Sequence, residues 1–234
     1  MKIVFFSDVH GNQYAFARFL QEMQEHPADR VVFLGDIFGY YYGQRPILER
    51  LRRSGFVCLM GNHDKMYLDM LDGHRSAAEL CQRYGSSYER NLTEIPAEDR
   101  AFLRGLPREW HTSCDGIEIA AFHGSPEDPL EGRIYPDTPI DDPLPYARYD
   151  YVILGHTHHK MVRKVGHTVV IDPGSLGQQR DGKGCSYLVL DTVARTYAFQ
   201  IVEYDLDPLL REIEMWDPDK PFLSEVLTRK PRSP

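Results

Sequence analysis

The sequence predicts an α/β fold built around a parallel sheet. Three observations carry that expectation: strand-length apolar runs alternate with helical stripes at the start of the chain, a polar cluster follows each of those runs, and strand patterns return in the second half. Lys2 to Ser7 reads as a buried strand. Gly11 to Glu25 carries Tyr14, Phe16, Phe19, Leu20 and Met23 at helical spacing and stops near His26 and Pro27. Arg30 to Leu34 is the next strand, Pro46 to Ser54 a helix with Ile47, Leu48 and Leu51 on one face, and Phe56 to Met60 a third strand. This β-α-β-α-β order is the signature of parallel pairing.

From Lys65 to Leu106 the pattern is helical. It includes an Arg- and Tyr-containing stretch at Arg83 to Arg90 and a second helix from Pro96 that closes before Pro107. Strands return at Gly116 to Phe122, Tyr151 to Leu154, Thr168 to Ile171, Ser186 to Leu190 and Thr196 to Glu203, the last two joined as a hairpin. Between them, Gly124 to Tyr149 holds six prolines and several acids, the composition of an ordered irregular loop or lid. After Tyr204 comes a short amphipathic helix, then a stretch with four prolines from Trp216 to Pro234 that either docks on the body or frays. The expected organisation is one domain over 1–205 and a C-terminal extension over 206–234.

Composition narrows the functional classes. Hydrophobic residues form 42% and charged residues 26% of the 234-residue chain, a globular balance and not that of a disordered one. With 27 basic and 35 acidic residues the net charge is -8, so no broad basic surface is expected for long nucleic acid. A phosphorylated substrate would therefore meet its positive charge locally, from bound metal or a few arginines. Cys58, Cys81, Cys114 and Cys185 are widely spaced, and Met1 to Phe6 lead straight into a strand. No apolar stretch approaches the ~20 residues that span a bilayer. The expectation is a cytoplasmic protein with reduced thiols and no membrane partner; the oligomeric state is left open.

Five polar clusters carry the chemistry: Asp8-Val9-His10, Gly35-Asp36, Gly61-Asn62-His63-Asp64, His123-Gly124 and Gly155-His156-Thr157-His158. Asp, His and Asn present oxygen and imidazole nitrogen to borderline divalent metals. In a parallel sheet the strand ends converge at the carboxyl edge, where such side chains can turn toward one point. A carboxylate can bridge two cations held ~3.5–4 Å apart, the separation suited to in-line attack at phosphorus. Asp36 is the bridging candidate. Singly, each cluster has a plain reading, Asp-x-His as a capped turn and His63 or His123 as a hydrogen-bonded histidine. Together they read as a split two-metal site.

In this order the clusters resemble the calcineurin-like metallophosphoesterases, whose pattern is D-x-H, G-D, G-N-H-D/E, H and G-H-x-H. The resemblance runs from Lys2 to about Glu203 and looks closest to a bacterial branch, through Gly35 to Tyr40, His123 to Pro126 and Pro173 to Gln178. It implies a four-layer α/β/β/α sandwich of two mixed β-sheets flanked by helices. It also implies that Asp8, His10, Asp36 and His158 hold one metal while Asp36, Asn62, His123 and His156 hold the other, with a bridging water or hydroxide as nucleophile. The mixed nitrogen and oxygen shell favours Mn, Fe, Zn, Co or Ni over Mg or Ca, with manganese the expected activator in vitro.

His63 resembles the family histidine that contacts the substrate phosphate and protonates the leaving oxygen. Many members carry an acid three residues after the G-D aspartate to pair with it; this chain has Gly39 there, so another group must orient His63. Asp64 is read as a residue steadying the loop. Asn12 and Arg180 are candidate phosphate contacts, Asn12 being equally a helix cap or Asx-turn. Tyr40, Tyr41 and Tyr42 either stack a base or pack. The implied activity is metal-dependent hydrolysis of a P–O ester in a small nucleotide-like or other phosphorylated molecule, by a phosphodiesterase or phosphatase. Dinucleoside polyphosphates and phosphoserine or phosphothreonine proteins remain open as substrates. A reading of another class is a non-catalytic protein-binding scaffold, as in the retromer subunit that resembles this fold; it expects eroded ligands, whereas all seven positions and His63 are intact.

Overall fold

The computed structural model describes residues 1–230, so the last four residues of the expected tail lie outside the described part. The first half runs β1 (Lys2–Phe6), α1 (Gln13–Glu25), β2 (Arg30–Phe33), α2 (Gln44–Ser54), β3 (Val57–Cys58) and four helices, α3 (Asn62–Leu71), α4 (Ala77–Tyr84), α5 (Ser87–Glu94) and α6 (Ala97–Arg104). The second half runs β4 (Glu109–Cys114), β5 (Ile117–Phe122), β6 (Tyr151–Ile153), β7 (Lys160–Val165), β8 (Thr168–Pro173), β9 (Ser186–Asp191) and β10 (Thr196–Ile201). It closes with α7 (Asp207–Trp216) and α8 (Phe222–Glu225).

The strands form two mixed five-stranded sheets, ordered β10-β9-β1-β2-β3 and β4-β5-β6-β8-β7. β1, β2 and β3 pair in parallel, as the alternating pattern predicts, and β5, β6 and β8 do the same in the second sheet. Two strands were not expected. β4 is half-buried to exposed throughout, and β7 carries Lys160, Arg163 and Lys164; both are edge strands, placed by antiparallel pairing with β5 and β8 and not by their own apolar content. The long helical stretch is also divided. Its first helix begins at Asn62, so Asn62, His63 and Asp64 occupy a helical first turn and not the loop before it.

Period-two alternation assigns the layers. Ile3, Phe5, Val32 and Leu34 point between the sheets to meet Ile119, Ala121, Ile153 and Ile171. Val4, Phe6, Val31 and Phe33 point outward onto the helices, where the Phe6 ring lies 4.4 Å from Phe19 and 4.9 Å from Phe33. The helices flank this first sheet, while the outer face of the second buries Tyr146 and Tyr149 from the irregular segment predicted at 124–149, with Ile134 and Ile140 packed beside them. The C-terminal extension docks: Leu209, Ile213 and Leu223 join the helical core, Tyr41 donates to the Leu223 carbonyl at 3.1 Å, and Asp217 accepts from Tyr42 at 2.7 Å. Among the described residues no helix is long and apolar enough to cross a membrane, and all four cysteines are free.

Candidate metal centre

The carboxyl ends of β1, β2, β3, β5 and β6 meet at one place, and the backbone there is unusual. Asp8, His10, Asp36, Tyr40, His156 and His158 have φ of 56°, 48°, 69°, 60°, 69° and 60°, six of the eight non-glycine residues with positive φ among those described. Each such residue costs on the order of 1 kcal/mol, and the remainder of the fold must offset that strain. Part of the compensation is backbone: Asp8 N–H donates to the Gly35 carbonyl at 3.0 Å and His10 N–H to the Asp36 carbonyl at 3.0 Å. The left-handed turns swing the side chains off the strand axes and into a common space.

Two groups converge there, Asp8 with His10 and His158, and Asp36 with His123 and His156; within each, the potential ligand atoms lie within 4.8 Å of one another. Asp36 Oδ2 stands between the groups, 3.6 Å from His10 Nε2 and 3.4 Å from His123 Nε2. Asp8 Oδ1 lies 3.3 Å from His158 Nε2, and Asn62 Oδ1 is 3.1 Å from His123 Nε2. The seven predicted residues are thus brought together and are all buried.

The tautomers follow from the outer hydrogen bonds. His10, His123 and His158 each direct Nδ1 at a backbone carbonyl, those of Phe38 at 2.6 Å, Leu34 at 3.1 Å and Gln178 at 2.6 Å. A carbonyl only accepts, so Nδ1 carries the proton and the Nε2 lone pair faces the site. Lone pairs and carboxylate oxygens then confront one another with nothing positive between them. Asp8 Oδ1, Asp36 Oδ2 and His156 Nε2 are indeed buried without a hydrogen-bond partner. Such orphaned atoms are costly unless a cation completes them, and a mixed O/N donor set suits divalent transition metals.

Electrostatics agree for two carboxylates and two histidines, and less directly for His123, which burial lowers but Asp36 lifts to about 9, with a proton that a bound cation displaces. Burial raises the Asp8 and Asp36 carboxyls, but the surrounding histidines, His158 for Asp8 and His123 for Asp36, bring both below the usual carboxylate range. Burial takes His158 down to about 4 and His156 down to about 3, so both are neutral ligands near pH 7.

The family model described as the calcineurin-like phosphoesterase superfamily domain matches residues 1–195. The chain belongs to this superfamily. It is 26% identical over 229 residues to an uncharacterized protein of Methanocaldococcus jannaschii, covering 90% of this chain and 91% of that one. Its fold matches a hypothetical protein from Pyrococcus horikoshii with TM-score 0.78 at 21% identity, covering 98% and 99% of the two chains. It also matches a metallophosphoesterase from Sphaerobacter thermophilus with TM-score 0.70 at 24% identity, covering 92% and 94%. Metal-binding phosphoester hydrolases define the superfamily, and the two ligand groups are its divalent-metal candidates in this chain.

Against the usual superfamily pattern, the partner of His63 is a tyrosine. His63 Nδ1 lies 2.8 Å from the Tyr88 hydroxyl, which comes from α5 and is buried. The glycine at the usual acid position is consistent with this arrangement: a Cβ on Gly39, whose φ is +89°, would sit 2.5 Å from His63 Nδ1. The only sequence trace of Tyr88 is the Tyr-containing stretch before Arg90, which has no spacing relation to the G-N-H-D motif. Tyr84 and Tyr40 complete the surround, with ring centroids 4.6 and 5.3 Å from His63. Burial lowers the His63 pKa well below the ordinary imidazole value, and Tyr88, unlike a carboxylate, adds no charge that would restore it.

The structure corrects one expected substrate contact. Asn12 is fully buried: its Oδ1 accepts from Ala15 N–H at 3.1 Å as the cap of α1, and its Nδ2 donates to the Gly177 carbonyl and the Tyr204 hydroxyl, both at 2.9 Å. Nothing is left over for phosphate, and the capping alternative holds. Arg180 does reach the site's edge. Its Nη2 donates to the Tyr40 hydroxyl at 2.9 Å and to Gln178 Oε1 at 3.0 Å. Tyr41 and Tyr42 are packing residues, whereas Tyr40 sits edge-on to His10 with centroids 4.7 Å apart. Asp64 accepts from four backbone N–H groups, those of Asp36, Ile37, Phe38 and Gly61.

Proposed function

We propose that this protein hydrolyses a P–O ester in a small phosphorylated molecule at a dinuclear centre of divalent transition metals. Asp8, His10, Asp36 and His158 hold one ion, and Asp36, Asn62, His123 and His156 the other. The observation that carries this reading is the buried, unpartnered Asp36 Oδ2 between His10 Nε2 and His123 Nε2. When bound, such a pair supplies a water activated near neutral pH and neutralises charge on the phosphoryl oxygens. The chain's own residues do the rest. The Nδ1 donors fix the imidazoles, and Asp36 Oδ1, accepting from His63 N–H at 2.8 Å, ties the bridging carboxylate to the turn that presents His63.

His63 acts as the proton donor to the leaving oxygen. Its Nδ1 is paired with the Tyr88 hydroxyl, which leaves Nε2 as the nitrogen free for the substrate; to protonate the leaving oxygen the ring must be an imidazolium, a form that a bound phosphate anion and Asp36 favour against the burial that lowers its pKa. Arg180 supports the phosphate from the Tyr40 side. Manganese is the expected best activator, and the acidic body, with net charge -8, favours a small substrate over a polymer.

The reading is tested by metal analysis of the purified protein together with assays on a generic monoester and a generic diester. Two transition-metal equivalents are expected. Chelation should abolish turnover, and added Mn²⁺ should restore it. Absence of bound transition metal together with no turnover of either ester after Mn²⁺ addition would overturn it.

Tyr88→Phe tests the proton-donor assignment. Losing one hydrogen bond to a catalytic imidazole is expected to lower kcat about tenfold on an alkyl phosphate ester, whose leaving oxygen must be protonated. The same substitution should cost much less on a p-nitrophenyl ester, because that leaving group departs as a stable anion. An equal loss on both would mean that Tyr88 only packs.

A further inference from the structure

A cleft of about 340 Å³ opens beside the candidate metal centre, and its walls run against the character of the whole protein. In a chain of net charge -8 it is lined by Lys160, Arg180, Lys183, Arg229 and Lys230, with Asp181 the single acid. That acid is already used: Lys160 Nζ pairs with Asp181 at 3.1 Å and also donates to the Gly184 carbonyl at 3.1 Å, which pins the loop. Arg180, Lys183, Arg229 and Lys230 form no ion pair with a carboxylate among the described residues. Lone surface cations are ordinarily just solvated. Here two separate stretches of chain, at 180–183 and 229–230, bring uncompensated charges of one sign into one concavity, where field lines focus and anions concentrate.

The cleft adjoins the site through Arg180 and the stretch that follows His158. His159 and Lys160 directly follow the ligand candidate His158, and Arg180 N–H donates to the His158 carbonyl at 3.2 Å. The Arg180 guanidinium lies 5.9 Å from the Tyr40 ring, which in turn stands edge-on to His10. Arg180 is the residue the cleft shares with the edge of the metal centre, and the cleft's volume falls in the roughly 300–1,000 Å³ range of small-molecule sites.

We propose that this cleft is a subsite for a second phosphate, so that the favoured substrate is a phosphate ester bearing another phosphate group, seated among Arg180, Lys183, Arg229 and Lys230. The inference rests on the phosphohydrolase reading above and deepens it. The docked C-terminal segment then has a role in specificity, because it delivers two of the four charges and sets Arg229 Nη1 3.4 Å from the Arg180 carbonyl.

The test uses matched pairs on the full-length, metal-loaded protein. One pair is the p-nitrophenyl ester of thymidine 5′-monophosphate and the same ester carrying a 3′-phosphate; the other is thymidine 5′-monophosphate and thymidine 3′,5′-bisphosphate, measured as ligands by calorimetry. The second phosphate is expected to raise kcat/KM and to tighten binding by about tenfold, the size of one or two charge-assisted contacts. In Lys183→Ala/Arg229→Ala, folded by circular dichroism, that preference should fall toward unity, and Lys183→Arg should retain it. Equal handling of both members by the wild type, or a preference that survives in the double variant, overturns the subsite. Variant-sensitive bisphosphate binding without hydrolysis of any ester would leave the subsite standing and sink the phosphohydrolase reading; hydrolysis of both esters at equal efficiency would do the reverse.

Discussion

Asp36→Asn is expected to lower kcat by about three orders of magnitude, roughly 4 kcal/mol of transition-state stabilisation, and to reduce the bound metal below two equivalents. The reason is geometric. Asp36 Oδ2 is the one atom close to both His10 Nε2 and His123 Nε2, so neutralising it removes the charge shared by the two ion sites. Its other oxygen accepts from His63 N–H, a bond that the Asn carbonyl can keep, so the turn survives the substitution. A second readout separates this role from a structural one. Without metal, His123 holds the Asp36 carboxyl below its usual range, so its charge stabilises the fold and the metal-free variant should melt below the metal-free wild type; the response to metal is what tells the two roles apart. Metal addition should raise the melting temperature of the wild type and much less that of the variant, as linkage requires. A variant retaining two equivalents of metal and full turnover would sink the bridging assignment.

Asp64→Ala is expected to destabilise the protein by about 4 kcal/mol, a magnitude reserved for the loss of a buried polar network. Asp64 Oδ2 accepts from Asp36 and Gly61 N–H, both at 2.9 Å, and Oδ1 accepts from Ile37 and Phe38 N–H at 2.8 and 3.2 Å. Alanine orphans four donors in a fully buried place, each costing about 1–3 kcal/mol before the site relaxes or admits water. For a domain of this size the shift in melting temperature is on the order of 10 °C. Asp64→Asn should be nearly as harmful, since its amide nitrogen would face two N–H donors in place of an oxygen. Denaturant titration of both variants checks this; an Asn variant within about 1 kcal/mol of wild type would show that one oxygen suffices.

The same carboxylate explains why one motif holds residues with different duties. Asn62 faces the second ligand group, His63 faces Tyr88, and Asp64 turns back to fasten the end of β2 to the start of α3. Sequence order alone separates these residues by one step each. The helical first turn sends them in three directions, because successive residues are rotated by about 100° around the axis.

Much of the architecture was legible because each parallel strand carries its own apolar run and each ligand follows directly from a strand end. The edge strands β4 and β7 were not, because their residues are selected for one solvated face and their position is set by partners. Asn12 was ambiguous for a similar reason: its chemistry suits phosphate and helix cap equally, and the deciding contacts come from Gly177 and Tyr204, far along the chain.

By itself, the sequence determined the α/β class, the seven converging candidate ligands and His63, since ordered Asp, His and Asn clusters at strand ends are a local pattern. Tertiary structure alone decided that Tyr88 from a separate helix faces His63, that the C-terminal helices complete the core, and that a basic cleft borders the site. Those outcomes depend on which distant side chains meet, and contact between residues remote in the chain leaves no periodicity or spacing to read. Packing supplies that information, and it places a neutral hydroxyl, not a carboxylate, against the histidine nitrogen.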